Sequence, residues 1–399
     1  MRLEESWVLL DMSYKLEDIC SYVKEKIDVS VLDEHTYIST GNMIPDKGGI
    51  TEAASLPSAD KTQAFKAGDV LVSNIRPYFK KIWYATFDGG CSNDVLVFRA
   101  NDGISKRFLF YVLADDAFFA YSMSTSKGTK MPRGDKKALM KYDVPNIAYD
   151  DQVKIASILD VIDDKIIVNK EINDNLLQQT IASYEHLIQD DEWPIATILD
   201  IADKVAMGPF GSNIKVSTFV PEGVPIISGN HLRSYFLEEP EFNYITEDHA
   251  ERLKNSIVYP HDLVFTHAGN IGQVSMIPDG SKYDYYVLSQ RQFYLRCDET
   301  KVVPEFLLMF FHSSLGQHEL LSYANQTGVP SIAQPATNLK KIPFKCPPLT
   351  EQLRWKDQVQ PMIQEYINNR AENERLAELR DALLPKLMSG ELDISNLDL

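Results

Sequence analysis

A chain of 399 residues with 44% hydrophobic and 10% aromatic side chains exceeds what one hydrophobic core usually supports, so we expect at least two domains. Its 40 basic and 57 acidic side chains give a net charge of −17, which argues against a protein that coats DNA through bulk electrostatics. Four cysteines without a C-x-x-C pair argue against a structural zinc site and a disulfide framework. The acidic N-terminal run and the lack of any membrane-length apolar run favour a soluble protein in the reducing cytoplasm.

The first segment, residues 1–149, is predicted to be a mixed α+β domain. Short apolar runs bounded by Gly, Asn and Asp, such as Asp69–Ser73 and Val95–Phe98, are typical of strands. Residues Lys106 to Tyr121 carry apolar side chains at helical spacing.

Residues 150–190 are predicted to form a long helix with one hydrophobic seam. From Ile155 to Leu187 the seam positions step alternately by four and three residues, which is heptad spacing. Asp150 stands where the N-cap of this helix belongs.

The second half of the chain repeats the first. A long ungapped stretch matches at a separation of 200 residues, as the pairs Leu139 and Leu339, Asn169 and Asn369, Asn173 and Asn373, and Leu187 and Leu387 show. Residues 191–349 are therefore predicted to be a second α+β domain, in which Leu263–Thr266 and Gln292–Leu295 are typical of strands and Pro304 to Tyr323 of a helix.

A second long helix is predicted at residues 350–390, followed by a C-terminal tail at 391–399. Thr350 is its expected N-cap. Proline cannot donate a helical hydrogen bond, so we expect a kink or a restart at Pro361 and a weakened last turn at Pro385.

The two long helices are predicted to pack on each other, antiparallel, because a duplicated unit closes most economically about a pseudo-two-fold axis. A polar residue in a heptad seam is unfavourable for stability but fixes register and orientation. The expected helix-pairing residues are Asn169, Asn173, Asn369 and Asn373. The predicted fold is thus α+β, with two strand-rich globular domains separated by two helices that form an antiparallel coiled coil.

Four motifs extend this interpretation: Leu379–Leu392 (LRDALLPKLMSGEL), Pro347–Gln352 (PPLTEQ), Gly208–Ser212 (GPFGS) and Gly223–Ile226 (GVPI). With them the chain resembles the specificity subunits of type I restriction-modification systems over essentially its whole length. The first copy departs from the family pattern, because Pro145–Gln152 lacks the Pro-Pro-Leu motif.

The resemblance implies a DNA-binding subunit with two target-recognition domains, each of which reads one half of a bipartite site in double-stranded DNA. It also implies that the helices space these domains and dock two methyltransferase subunits, through which restriction and translocase subunits join the complex. A seam of about 32 residues is about 50 Å long, or about 14 base pairs, so the helix pair is expected to act as a ruler.

Catalytic motifs are missing from the sequence. It has no Asn-Pro-Pro-Tyr or Asp-Pro-Pro-Tyr methyltransferase motif, no glycine-rich cofactor loop, no nucleotide-binding P-loop and no nuclease motif. Neither His261 nor His267 has a partner at metal-ligand spacing, so we expect no metal site. The chain is therefore interpreted as a non-catalytic subunit of a restriction enzyme and adenine methyltransferase complex, with S-adenosylmethionine, ATP and Mg²⁺ expected on partner subunits.

The candidate DNA-binding residues lie in polar and basic loops that follow the predicted strands. Lys and Arg suit phosphates, whereas Arg suits guanine edges and Asn or Gln suits adenine edges. The candidates in the first domain are Asn74, Arg76, Lys80, Lys81, Lys127, Lys130 and Arg133, and those in the second are Asn230, Arg233, His267, Asn270, Gln290, Arg291 and Gln326.

Two alternative functions remain open from the residues alone. The net charge of −17 favours a coiled-coil protein scaffold whose globular domains bind proteins. A divergent stand-alone DNA-modifying enzyme with unrecognised motifs is the other.

Overall fold

The computed structural model describes residues 13–394 except 212, 240, 326 and 327. Contacts divide the chain into two compact units, one formed by Met1–Val168 with Asn373–Leu399 and the other by Asn169–Glu372. We call residues 13–148 of the first unit domain 1, and residues 189–348 of the second unit domain 2.

Domain 1 is built from short strands and four helices that precede a long helix. The strands are β1 (Tyr14–Lys15), β2 (Cys20–Tyr22), β3 (Lys26–Asp28), β4 (Tyr37–Ile38), β5 (Lys61–Phe65), β6 (Val70–Ser73), β7 (Ile82–Tyr84), β8 (Gly89–Cys91), β9 (Val95–Ala100) and β10 (Asp143–Val144). The helices are α1 (Leu16–Ile19), α2 (Lys106–Ala114), α3 (Asp116–Ser124), α4 (Lys136–Leu139) and the long α5 (Tyr149–Ile188).

Domain 2 repeats this sequence of elements with one additional helix and two additional strands. Its strands are β11 (Ile195–Thr197), β12 (Ala202–Met207), β13 (Val224–Ile227), β14 (Asn243–Ile245), β15 (Ile257–Val258), β16 (Leu263–Thr266), β17 (Val274–Met276), β18 (Tyr286–Leu288), β19 (Gln292–Cys297), β20 (Ala324–Asn325), β21 (Ser331–Ile332) and β22 (Pro343–Lys345). The helices are α6 (Ile198–Ile201), α7 (Glu247–Arg252), α8 (Pro304–His312), α9 (Ser314–Leu321), α10 (Pro335–Leu339) and the long α11 (Leu349–Met388).

Each domain contains two four-stranded sheets. The first has the order β2-β9-β6-β7 in domain 1 and β12-β19-β16-β17 in domain 2, antiparallel throughout. The second has the order β3-β5-β8-β4 in domain 1 and β14-β13-β18-β15 in domain 2, and contains one parallel pair in each, β4 with β8 and β13 with β18. The second sheets differ in one edge strand, which is β3 in domain 1 and β14 in domain 2. Strand β3 pairs with β5, whereas β14 pairs with β13, so the two edge strands lie at opposite edges of their sheets.

Each helical stretch that the apolar spacing predicts inside a domain is two helices rather than one. Asp115 separates α2 from α3, and its carboxylate accepts the backbone N–H of Ala117. Ser313 separates α8 from α9, and its hydroxyl accepts the backbone N–H of Gly316. Both residues have extended backbone angles and N-cap the second helix, so a capping side chain ends a pattern that would otherwise continue.

The long helices correct two details of the sequence-based expectation. Asp150 and Thr350 are the second residues of α5 and α11, not their N-caps. Helix α11 runs without interruption from Leu349 to Met388, so it does not restart at Pro361 and remains helical past Pro385.

The two long helices pack together antiparallel, as contacts within each unit show. In the first unit Arg380 near the end of α11 donates to Asp163 in α5 at 2.9 Å, and Leu384 shares a hydrophobic cluster with Leu159. In the second unit Tyr184 of α5 lies 6.4 Å from the ring of Trp355 near the start of α11. These contacts confirm the predicted α+β fold with a duplicated domain and a pair of antiparallel helices.

Two buried polar contacts recur in both domains. Asp69, which is 3% exposed, accepts two hydrogen bonds from Arg99, and Asp262, which is 1% exposed, accepts two from Arg296. Each aspartate lies just before the second central strand of its first sheet and receives a backbone N–H from three residues earlier. The pair therefore closes the turn that leads into β6 or β16, and both buried carboxylates have hydrogen-bond partners.

A glutamine in the first turn of each long helix attaches that helix to its own domain. Gln152 accepts the backbone N–H of Ser105 at 3.0 Å, and Gln352 accepts that of Val303 at 3.0 Å. Ser105 and Val303 are the residues that precede α2 and α8, so the amide oxygen satisfies a helix N-terminus that would otherwise lack an acceptor. The contact explains the glutamines that the repeat places 200 residues apart.

Candidate nucleic-acid interface

In domain 1 the two predicted loops, residues 73–81 and 126–137, lie side by side beyond the end of β6. The backbone N–H of Arg76 donates to Pro132 O at 2.8 Å, and Ile75 forms a β-bridge with Arg133. Lys127 and Arg133 pair with each other in the second loop, which makes that loop a short hairpin. Loops that are 50 residues apart in sequence therefore form one continuous surface.

Three of the six predicted cations on this surface have acidic partners among the described residues. Lys80 pairs with Asp116 at 2.7 Å, Lys127 with Asp135 at 2.7 Å, and Arg133 with Asp94 at 3.2 Å. Lys81 donates to the carbonyl oxygen of Thr40 at 2.7 Å, and partial burial lowers the pKa of its ammonium group. Lys130 is exposed and forms no ion pair with any residue that the structure describes. The surface thus combines local positive charge with the strongly acidic background of the chain.

Arg76 and Asn74 stand at the centre of this surface. Arg76 has a φ of 51°, a left-handed conformation that is unfavourable for a residue with a Cβ atom. Its Nε atom is buried without a hydrogen-bond partner in the described part of the chain, as is Oδ1 of Asn74, which is 8% exposed. Unpartnered buried polar atoms and a strained backbone are typical of functional surfaces.

In domain 2 the corresponding loops also converge. The backbone N–H of His267 donates to Arg291 O at 2.9 Å, and that of Gly269 donates to Pro330 O at 3.0 Å. The loop before Asn230 joins them, because Ser289 N–H donates to Ile227 O at 2.8 Å. The loops that contain His267, Arg291 and Pro330 thus meet through backbone hydrogen bonds, and the 228–233 loop joins them at its base.

The predicted side chains of domain 2 differ in exposure and contacts. Asn230, Arg233, Asn270, Gln290 and Arg291 are exposed, whereas His267 is partly buried and its Nε2 lies 3.1 Å from Gln290 O. Arg233 donates weakly to Asn230 Oδ1 at 3.4 Å. Gln326 lies outside the described residues.

Sequence reasoning did not include the 208–214 loop among the DNA-binding candidates, although its glycine motif contributed to the family resemblance. Gln290 Nε2 donates to the carbonyl oxygens of Gly211 and Ile214, which attaches this loop to the predicted surface. Phe210 at its tip is 84% exposed. A Cβ atom on Gly208 would lie 2.0 Å from Ser289 O, so only glycine permits this close approach. The Gly-Pro-Phe-Gly motif at residues 208–211 was therefore the sequence feature that could have indicated this part of the surface.

Three of the four predicted helix-pairing asparagines form hydrogen bonds between α5 and α11. Within the second unit, Asn369 donates to Asn173 Oδ1 at 3.0 Å and Asn173 donates to Tyr366 O at 3.1 Å. Asn169 is fully buried and donates to Glu372 Oε2 at 2.7 Å. Asn373, in the first unit, is partly exposed. These contacts give the Nδ2 groups of the three asparagines hydrogen-bond acceptors inside an otherwise apolar seam.

Neither metal clusters nor membrane spans are found within the described ranges. No group of three or more His, Cys, Asp or Glu side chains among those residues could hold a metal ion. No helix of that part of the chain is long and apolar enough to cross a membrane.

Two stretches of the chain, residues 12–178 and 191–379, match the family described as the type I restriction modification DNA specificity domain. The chain belongs to this family. The match covers both halves and confirms the family that the sequence motifs indicated. A type I specificity chain is the non-catalytic class of subunit, which agrees with the interpretation drawn from the missing catalytic motifs.

Similar proteins agree with the family. The chain is 23% identical to the type I restriction enzyme MjaIX specificity subunit of Methanocaldococcus jannaschii, over 91% of this chain and 85% of that protein. It is 22% identical to the MjaVIII specificity subunit of the same organism, over 100% and 96%. The crystal structure of the type I restriction-modification S subunit from M. genitalium superposes with a TM-score of 0.53 at 14% identity, covering 97% of this chain and 98% of that one, which supports the fold.

Proposed function

We propose that each domain of this specificity subunit reads one half of a bipartite site in double-stranded DNA. The target-recognition domains are residues 1–149 and 191–349, the spacer helices 150–190 and 350–390, and the tail 391–399. The observation that carries the proposal is the pair of loop surfaces, which occupy corresponding strand ends in the two domains but carry different side chains. Corresponding scaffolds with different edge-reading groups would recognise two different half-sites.

The polar side chains of these loops supply the chemistry that DNA recognition needs. Lys80, Lys81, Lys127 and Lys130 suit phosphates, and Asn230, Asn270, Gln290 and Gln326 suit base edges, together with the arginines of both surfaces. Ion pairs with Asp94, Asp116 and Asp135 reduce the free charge of domain 1. Such a surface binds DNA weakly by itself, so the methyltransferase partners would supply the additional contacts that tight DNA binding needs.

The long helices act in this proposal as a ruler and a docking platform. They hold the two domains at a constant spacing, with Asn169, Asn173, Asn369 and Asn373 setting the register. Two methyltransferase subunits dock on the helical regions, and restriction and translocase subunits join through the complex. S-adenosylmethionine, ATP and Mg²⁺ belong to those partners, and the assembly acts in the cytoplasm.

The ruler is tested by inserting one heptad into each helix, after Asn173 and after Asn373, and expressing the chain with its methyltransferase subunit in a host that lacks the native methylation. Seven residues add about 10 Å, so the unread gap lengthens by about 3 base pairs while both half-sites stay the same. Sequencing of methylated adenines gives both quantities. An unchanged gap would show that the helices do not set the spacing.

Two further measurements separate this function from the alternatives. The purified chain with DNA, Mg²⁺ and a methyl donor neither methylates nor cuts, and any turnover without partner subunits would favour a stand-alone enzyme. With the methyltransferase subunit present, footprinting gives two separated protected patches on DNA. A footprint without them would favour a protein scaffold.

A further inference from the structure

The two loop surfaces can be matched residue by residue through their backbone hydrogen bonds. Asn74 N–H donates to Asp94 O at 2.8 Å in domain 1, and His267 N–H donates to Arg291 O at 2.9 Å in domain 2. Both acceptors directly precede the strand that pairs with β6 or β16, since Ser73 pairs with Val95 and Thr266 with Gln292. Asp94 and Arg291 therefore occupy the same position.

A second set of contacts extends the match. Ile75 forms a β-bridge with Arg133, and Ala268 forms the same bridge with Ser331. One residue further along, Arg76 N–H donates to Pro132 O and Gly269 N–H donates to Pro330 O. Arg76 thus corresponds to Gly269, and Arg133 corresponds to Ser331.

The matched positions carry different charges in the two domains. Domain 1 has Asp94 where domain 2 has Arg291, and it has Arg76 where domain 2 has Gly269. The arginine of domain 2 nevertheless reaches the same place, because a Cβ atom on Gly269 would lie 3.4 Å from Nη1 of Arg291. A guanidinium group accordingly lies beside this backbone position in domain 2, where domain 1 carries the side chain of Arg76 itself.

Of the three arginines at these matched positions, Arg133 forms an ion pair, and Arg76 and Arg291 do not form one with any described residue. Arg133 is held by Asp94 at 3.2 Å, which neutralises it and fixes its direction. Arg76 and Arg291 have no ion pair with any residue in the described ranges, and the Nε of Arg76 is buried without an acceptor. Arg76 also keeps a left-handed backbone, which a glycine would adopt without strain. Of the three arginines, these two are the ones whose guanidinium groups have no acceptor among the described residues.

We propose that Arg76 and Arg291 are the base-reading arginines of the two domains, and that each half-site contains a guanine at the base pair that faces its arginine. A guanidinium group matches the O6 and N7 acceptors of guanine with two parallel hydrogen bonds in the major groove. Asp94 is a positioning residue that keeps Arg133 from competing for the same base. This inference rests on the proposed DNA-reading function and names the residue and the base through which each domain reads.

The test for domain 1 uses Arg76→Gly, because glycine relieves the strained backbone and reproduces the residue found in domain 2. The variant is expressed with the methyltransferase subunit, and methylated adenines are sequenced across the host genome. One G·C position of a single half-site becomes degenerate, with discrimination reduced about tenfold to a hundredfold. The other half-site and the gap stay unchanged, and thermal unfolding shows no loss of stability.

The test for domain 2 uses Arg291→Lys and Arg291→Gln, which remove the planar fork while the first retains the charge. A G·C position in the opposite half-site becomes degenerate in both variants. The matched control is Arg252→Lys, at an exposed arginine on α7 that forms no side-chain hydrogen bond or ion pair with these loops among the described residues, and its methylation pattern equals that of the wild type.

The outcomes separate this inference from the function on which it rests. If wild-type protein with its methyltransferase subunit methylates no bipartite site, the proposed function fails. If the wild-type site is bipartite but remains unchanged in the variants, or if the relaxed position is an A·T pair, only the arginine assignment is overturned. Complete loss of methylation by Arg76→Gly and Arg291→Lys would overturn it as well, because loss of one base contact weakens recognition without abolishing it.

Discussion

Domains 1 and 2 share the contacts that hold their frameworks together but differ in the loops that those frameworks carry. Both have a buried aspartate that binds an arginine bidentately, and both attach a long helix through a glutamine in its first turn. Their loop surfaces meet through the same backbone hydrogen bonds, yet the matched positions carry different charges, as Asp94 in domain 1 and Arg291 in domain 2 show. The framework can stay constant because it depends on backbone geometry, while side chains on the surface are free to diverge.

The largest expected effect concerns the matched phenylalanines of the two cores. Phe108 and Phe306 are both essentially buried, at corresponding positions of α2 and α8. Replacing either by alanine leaves a cavity and lowers the free energy of unfolding by about 3–5 kcal/mol in denaturant titrations. Phe210→Ala is the control, since an 84% exposed ring contributes less than about 0.5 kcal/mol. Unequal losses for Phe108 and Phe306 would show that the two cores are not equivalent.

The buried aspartates give the next largest effect. Asp69→Ala and Asp262→Ala each remove the partner of an arginine, and each lowers the free energy of unfolding by about 3 kcal/mol. Asp164→Ala on the exposed face of α5 is the control and has almost no effect. Equal losses in the two domains support a shared framework. A loss confined to one domain would contradict it.

Acid sensitivity should distinguish domain 2 from domain 1. Burial lowers the pKa of His312 to about 4, and its ring stacks on Tyr235 at 3.7 Å while Nε2 lies 2.8 Å from Val274 O. Because the unfolded chain binds the proton more tightly, stability is full above about pH 6.5 and falls as the pH drops towards 4. This histidine alone lowers the free energy of unfolding by about 2 kcal/mol between pH 7 and pH 4.5.

The variant His312→Gln tests this assignment. Domain 1 has Ala114 at the corresponding end of α2, so it lacks this titrating group. The variant loses about 2 kcal/mol less than the wild type over the same pH range in denaturant titrations. An identical pH profile for the two proteins would mean that other groups cause the acid sensitivity.

The smallest expected effect concerns the loop that the sequence interpretation omitted. Gln290→Ala removes two hydrogen bonds to the 208–214 loop and lowers the free energy of unfolding by about 1 kcal/mol. DNA footprinting in the presence of the methyltransferase subunit shows weaker protection at one half-site only. Asn93→Ala, at the corresponding position of domain 1, is the control, because Asn93 accepts one hydrogen bond from Lys26 at 3.3 Å and donates to no loop carbonyl in the described ranges. Weaker protection at both half-sites would contradict a local role.

The long helices show how far a sequence pattern can lead. The heptad steps and the 200-residue repeat predicted both helices, their antiparallel packing and the asparagines within the seam, because helical periodicity is a local property of the chain. Proline positions were less informative: Pro361 does not interrupt α11, since packing against α5 outweighs its local preference. Asp115 and Ser313 were missed for a related reason, because a single capping side chain divides an uninterrupted apolar pattern.

Composition, periodicity and short motifs were thus sufficient for the family, the duplicated α+β fold and the loops that carry polar side chains. Only the tertiary structure brought Arg76 next to Pro132, and Gln290 next to Gly211, because strand pairing across 50 to 80 residues decides which loops share a surface. It alone showed that Arg133 is neutralised by Asp94 while Arg76 and Arg291 are not. A sequence states which charges are present, but their pairing depends on distances that only the folded chain defines.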